Sequence, residues 1–187
     1  MKNLTFIKKY KFHLLIGALL IQLGILAAEF LNSIYPHWVG QEVRFYIEPV
    51  DPRSLMRGNY ARLQYEINHL SDRLVTKDNP ADLSRGQIIY VLLRKEADVY
   101  RPLEIRLKKP ESGIFIRGRL NSYYRNTLYV KYGIEAYFVK KEIALDIEER
   151  VRHIRIDGER KKMYQAITNI APDGKAALVD LFFPLKN

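Results

Sequence analysis

The chain has no cysteine among its 187 residues and only four histidines, His13, His37, His69 and His153. Without a thiol a lipoprotein anchor has no attachment point. A zinc site has little to build from either, because the histidines share no helical or ribbon spacing. No P-loop, G-x-G-x-x-G or G-x-S-x-G occurs, so the common phosphate cradles and the nucleophile elbow are missing. Neither metal nor cofactor is expected. There is also no low-complexity tract and no linker-like stretch, which leaves room for one domain and an appendage.

What is present is an excess of positive charge and one long apolar run. Thirty-one Lys and Arg against twenty-one Asp and Glu give +10, a balance suited to nucleic acid, a membrane surface or an acidic partner. The run FHLLIGALLIQLGILAAEFL, residues 12–31, is long enough as a helix to span a hydrocarbon core of ~30 Å. Lys2, Lys8, Lys9 and Lys11 precede it, and no Lys or Arg follows until Arg44. The positive-inside bias therefore predicts a cytoplasmic segment 1–11 and a single-pass transmembrane signal anchor 12–31. Beyond them come a juxtamembrane segment 32–40 with interfacial Tyr35 and Trp38, and an extracytoplasmic domain 41–187. Cleavage as a signal peptide after Ala28 would put Leu26 where a small residue is wanted. Past residue 31 the chain keeps 27 basic and 20 acidic residues. Outside the cytoplasm nucleic acid is excluded, leaving anionic lipid headgroups, envelope polymer or an acidic protein. Within the span, Gly17, Gly24 and Ala28 fall within roughly 40° of one another and offer a smooth strip to a neighbouring helix.

From Gln41 onward the period is two. In EVRFYIE the apolar Val43, Phe45 and Ile47 alternate with polar neighbours, the pattern of a strand with one buried face. Further strands are expected at 61–67, 87–93, 103–107, 114–120, 127–132, 163–170 and 176–183, with short helices at 71–75 and 142–151. APDGK at 171–175 predicts a terminal hairpin, and Pro102 and Pro110 belong on edges or in loops. The fold expected is mainly β, an antiparallel sandwich or small barrel, after a single transmembrane helix.

The densest polar stretch is DPRSLMRGNYARLQYEI, residues 51–67. Asp51 before Pro52 predicts an N-cap, and Gly58 a turn closure. In the strand that follows, Ala61, Leu63, Tyr65 and Ile67 share one face, while Tyr60, Arg62, Gln64 and Glu66 share the other. Arg53, Arg57, Tyr60, Arg62 and Glu66 make a candidate polar binding face. LQYEI also echoes VKYGIE at 130–135, so a duplicated half-domain is one reading, with Leu63, Tyr65, Val130 and Tyr132 in a shared core.

The segment Gly58, Asn59, Tyr60, Leu63 and Tyr65 resembles the signature of the GDYXXLXY family of membrane-anchored bacterial proteins. A second family segment is matched by Tyr132, Gly133, Ile134, Glu135, Tyr137 and Phe138. The resemblance implies one N-terminal span in the bacterial inner membrane and an outer, periplasmic β domain. It also implies the frequent company of polytopic membrane proteins, and no established catalysis. Asn59 stands where the family name has Asp, and Lys140 and Lys141 where Pro-Glu is common, so carboxylate chemistry at those places is lost.

Three chemical readings compete with a structural one. Glu66 and Glu135 are a conceivable acid/base pair, against ion pairs with Arg57 or Arg62. Ser54 after a membrane span has a superficial likeness to signal peptidases, whose serine and lysine motifs are absent. The interleaved tyrosines and cations suit an envelope polymer or lipid headgroup. The expectation is a non-enzymatic accessory or assembly subunit on the membrane bilayer with a polytopic protein partner; the binding module is the alternative and a membrane-bound hydrolase the remote one.

Overall fold

A computed structural model describes residues 2–48, 60–76, 83–138 and 164–182. They fall into two units, Met1–Tyr35 and Pro36–Asn187. In helix α1 (Lys2–Val39), the segment Lys11–Val39 is long and apolar enough to cross a membrane. Phe12, Leu15, Leu20, Ile21 and Phe30 are all exposed and lie on several sides of the axis, as on a helix solvated by lipid. Residues 32–39 are helical too, through Pro36. The helix stops where the Gly40 N–H reaches the Pro36 carbonyl at 2.9 Å.

The second unit is antiparallel β. Its described strands are β1 (Gln41–Glu48), β2 (Tyr60–Arg62), β3 (Gln64–Tyr65), β4 (His69–Ser71), β5 (Ile88–Glu96), β6 (Val99–Arg106), β7 (Phe115–Tyr124), β8 (Thr127–Lys131), β9 (Ala136–Phe138), β10 (Gln165–Ile170) and β11 (Ala176–Phe182). They form a four-stranded sheet β11-β10-β1-β3, a five-stranded sheet β4-β8-β7-β5-β6 and the pair β2-β9, antiparallel throughout and in one sheet nearly closed and barrel-like. Alternation fills the interior. Val43, Phe45 and Ile47 of β1, Ile89 and Val91 of β5 and Leu128 and Val130 of β8 are buried in one core, and each contributes about 1.5–3 kcal/mol of apolar transfer. The one polar side chain of β10 in that core, Thr168, donates its hydroxyl to the Val43 carbonyl at 2.8 Å.

The structure corrects the expected strand at 61–67. β2 pairs with β9, β3 pairs with β1, and the chain changes partner at Leu63, whose N–H bonds the Glu135 carbonyl at 2.8 Å. A 3-10 turn, Glu66–Asn68, follows. The two-residue alternation nonetheless survives the break, with Leu63, Tyr65 and Ile67 buried and Arg62 exposed. The expected helix at 71–75 is only a 3-10 turn, Asp72–Leu74, capped by the Ser71 hydroxyl. The short strands β4 and β9 have no counterpart among the expectations. The helix predicted at 142–151 and the turn at 51–58 lie outside the described residues. Pro102 stands in β6, an outer strand of its sheet. The hairpin at 171–175 forms as predicted, with Gly174 at φ +83.

Candidate functional site

The family-like segments meet in a reciprocal pair of tyrosine hydrogen bonds. Tyr65 donates its hydroxyl to the Ile134 carbonyl at 2.6 Å, and Tyr132 donates its own to the Ile67 carbonyl at 2.7 Å. Each hydroxyl thus reaches the residue two places beyond the other tyrosine. The backbone repeats the pattern: the Tyr65 N–H bonds Asn68 Oδ1 at 2.7 Å, and the Tyr132 N–H bonds Glu135 Oε1 at 2.6 Å. These N–H groups point at side chains three residues on instead of at a neighbouring strand. That is why β3 ends at Tyr65 and β8 just before Tyr132.

The amide and the carboxylate join the halves. Asn68 Nδ2 donates to the Val130 carbonyl at 2.8 Å and to Glu135 Oε1 at 3.1 Å, across 67 residues of sequence. Glu135 Oε2 accepts the Gly133 N–H at 2.9 Å. Gly133 has φ +85, a conformation that a Cβ disfavours. Gly118 of β7 lies against the same cluster, where a Cβ would come within 2.7 Å of the Tyr132 ring.

Burial holds both tyrosine hydroxyls well above the usual tyrosine range, and the negative charge of Glu135 adds to the effect. Both are therefore neutral donors at any physiological pH. Among the described residues no buried side-chain polar atom lacks a partner. Glu135 spends both oxygens on N–H donors of the protein itself.

The other candidates are less concentrated. Glu66 bonds Arg101 of β6 at 2.9 Å, where an ion pair with Arg57 or Arg62 was the expectation; Arg57 is not among the described residues. Arg101 also contacts Glu96 at 3.1 Å and lies 5.7 Å from the Tyr46 ring centre. Glu66 and Glu135 are thus committed to different partners. Arg53, Arg57, Gly58 and Asn59 lie outside the described residues, and Tyr60 and Phe138 are placed by backbone alone, paired with each other between β2 and β9. Tyr137 is half-buried beside Asp180, and burial followed by that charge raises its hydroxyl. In α1, Gly17 and Gly24 have open space around them.

A family model described as GDYXXLXY protein matches residues 22–181. The chain belongs to the GDYXXLXY family. No curated protein and no solved structure matches it. Within the GDYXXLXY signature the last tyrosine, Tyr65, is a buried hydrogen-bond donor, and Leu63 marks the change of strand partner. Asn68, three residues past the signature, and Gly118 were missed by sequence reasoning. The signal for Asn68 was there: the LQYEI and VKYGIE echo extends into Tyr-x-Ile followed by Asn or Glu.

Proposed function

We propose that this GDYXXLXY protein is a non-enzymatic accessory or assembly subunit, held by α1 in the inner membrane of a bacterium, with its β domain outside the cytoplasm and a polytopic membrane protein as partner. One observation carries the reading: the polar groups of Tyr65, Asn68, Tyr132 and Glu135 are consumed within and between these two segments. A catalytic constellation keeps a nucleophile, base or oxyanion donor open toward substrate. Here both tyrosine hydroxyls and the Glu135 carboxylate are bonded to the protein itself. Such a device makes a rigid scaffold. The family match and the apolar N-terminal helix are compatible with membrane anchoring, and the lysines ahead of the span favour an inside N-terminus.

The test is purification of the full chain in mild detergent from its own membrane. A stoichiometric membrane protein in the eluate is expected, with retention weakened in Gly17→Leu/Gly24→Leu, which fills the smooth strip of α1. Elution of the chain alone after crosslinking in intact membranes would refute the reading. Protease added to spheroplasts is expected to degrade the β domain, and its protection would reverse the orientation.

A further inference from the structure

We propose that the outer face of the β7–β8 hairpin binds a polyanionic glycan. Between Glu111 and Glu135 the chain carries Arg117, Arg119, Arg125 and Lys131 and no carboxylate side chain. Arg119 and Lys131 stand directly opposite each other across the two strands, and both are exposed. Like charges in that position weaken a strand pair.

Elsewhere the domain neutralises such a pair. Arg94 and Arg101 are also directly opposite, on β5 and β6. There Arg94 bonds Glu96 at 2.8 Å, and Arg101 bonds Glu66 at 2.9 Å and Glu96 at 3.1 Å. Arg119 and Lys131 have no such carboxylate among the described residues. Arg119 instead donates to the Gly86 carbonyl at 2.9 Å, one residue along the chain from the exposed Arg85. The nearby acids are engaged: Asp72 accepts from Tyr123 and Asn126, each at 2.8 Å, and Asp173 faces Arg117 at 3.6 Å. Among the described residues no carboxylate pairs with Arg85, Arg119 or Lys131, and the remaining donors of these cations suit an oxyanion.

The neighbours select a glycan. Tyr129 shares the face with Lys131, two residues away, as does the exposed Tyr124 nearer the hairpin tip, where Arg125 lies 5.0 Å from the Tyr124 ring centre. Aromatic rings with hydroxyl edges pack against sugar C–H faces while offering hydrogen bonds to sugar hydroxyls. A lipid surface would call for protruding aliphatic side chains, and this row holds only Ile88, opposite Arg119. The two-stranded row suits an extended polymer bearing carboxylates or phosphates.

The test uses the full chain in phosphatidylcholine nanodiscs. Polygalacturonate is the probe, beside neutral dextran, poly-glutamate, and vesicles of phosphatidylcholine and phosphatidylglycerol. Polygalacturonate is expected to bind and dextran not, with affinity falling as salt rises. Arg119→Gln/Lys131→Gln should weaken binding by about tenfold or more, Tyr129→Ala by several-fold, and Arg94→Gln not at all. Because the double variant removes a like-charge pair, its melting temperature at low salt should hold or rise. Unchanged polygalacturonate binding by that variant would overturn the proposal, as would a clear fall in its melting temperature. Tighter binding to poly-glutamate or to the anionic vesicles would overturn it in favour of an acidic protein segment or a membrane surface.

Discussion

Tyr65-Glu66-Ile67-Asn68 and Tyr132-Gly133-Ile134-Glu135 make the same hydrogen bonds with different chemistry. The tyrosine and isoleucine are shared, whereas the fourth residue is an amide in one segment and a carboxylate in the other. The difference is what lets the two halves join. An amide both accepts and donates, so Asn68 takes the Tyr65 N–H on its oxygen and gives its nitrogen to Glu135 and to the Val130 carbonyl. Two ionised carboxylates there would have no donor between them and would repel. The carboxylate in turn accepts two consecutive N–H groups of the tighter turn at Gly133. A repeated geometry therefore works because its fourth position is not repeated.

Making the halves alike at that position should have the largest effect. Asn68→Asp brings a second carboxylate against Glu135 and removes the donor to Val130, and a loss on the order of 4 kcal/mol at neutral pH is expected. Denaturant melts of the full chain in detergent would measure it.

Next in size is the reciprocal pair. Tyr65→Phe and Tyr132→Phe each leave a buried carbonyl unpaired and should cost about 2 kcal/mol. Reciprocity predicts nearly equal values, and a large inequality would break the equivalence of the halves.

The same hydroxyls predict alkaline sensitivity. Their folded pKa lies well above the ordinary 10.0, so above that pH the unfolded chain loses protons that the folded chain keeps. Stability is fully present below pH ~10 and falls as pH rises, by up to about 1.4 kcal/mol per pH unit for each tyrosine. Either Phe variant should halve this part of the slope.

The smallest contrast lies at the second position. Gly133→Ala forces a Cβ into φ +85 and should cost about 1 kcal/mol. Glu66, its counterpart, has no positive φ, and Glu66→Ala removes only a half-exposed ion pair with Arg101, expected to cost under about 0.5 kcal/mol.

Periodicity made much of the domain legible. Val43, Phe45 and Ile47 announced β1 by alternation, and Pro, Asp and Gly at 172–174 announced the last hairpin. The β7–β8 turn was harder to see, because Arg125 and Asn126 take positive φ without glycine. In a two-residue hairpin loop the twist of the paired strands imposes that conformation. The break at Leu63 was equally hidden, since alternation runs straight through it.

Composition and local pattern alone determined the apolar helix, the mainly β class and the likeness of the two tyrosine segments, because hydropathy and strand period act between residues a few positions apart. Tertiary structure decided the rest: that Leu63 changes partners, that Glu66 finds Arg101, and that each tyrosine serves the other's segment. Those choices join groups far apart in the chain, and a hydrogen bond or ion pair goes to whichever partner the folded backbone brings within about 3 Å, which no local pattern encodes.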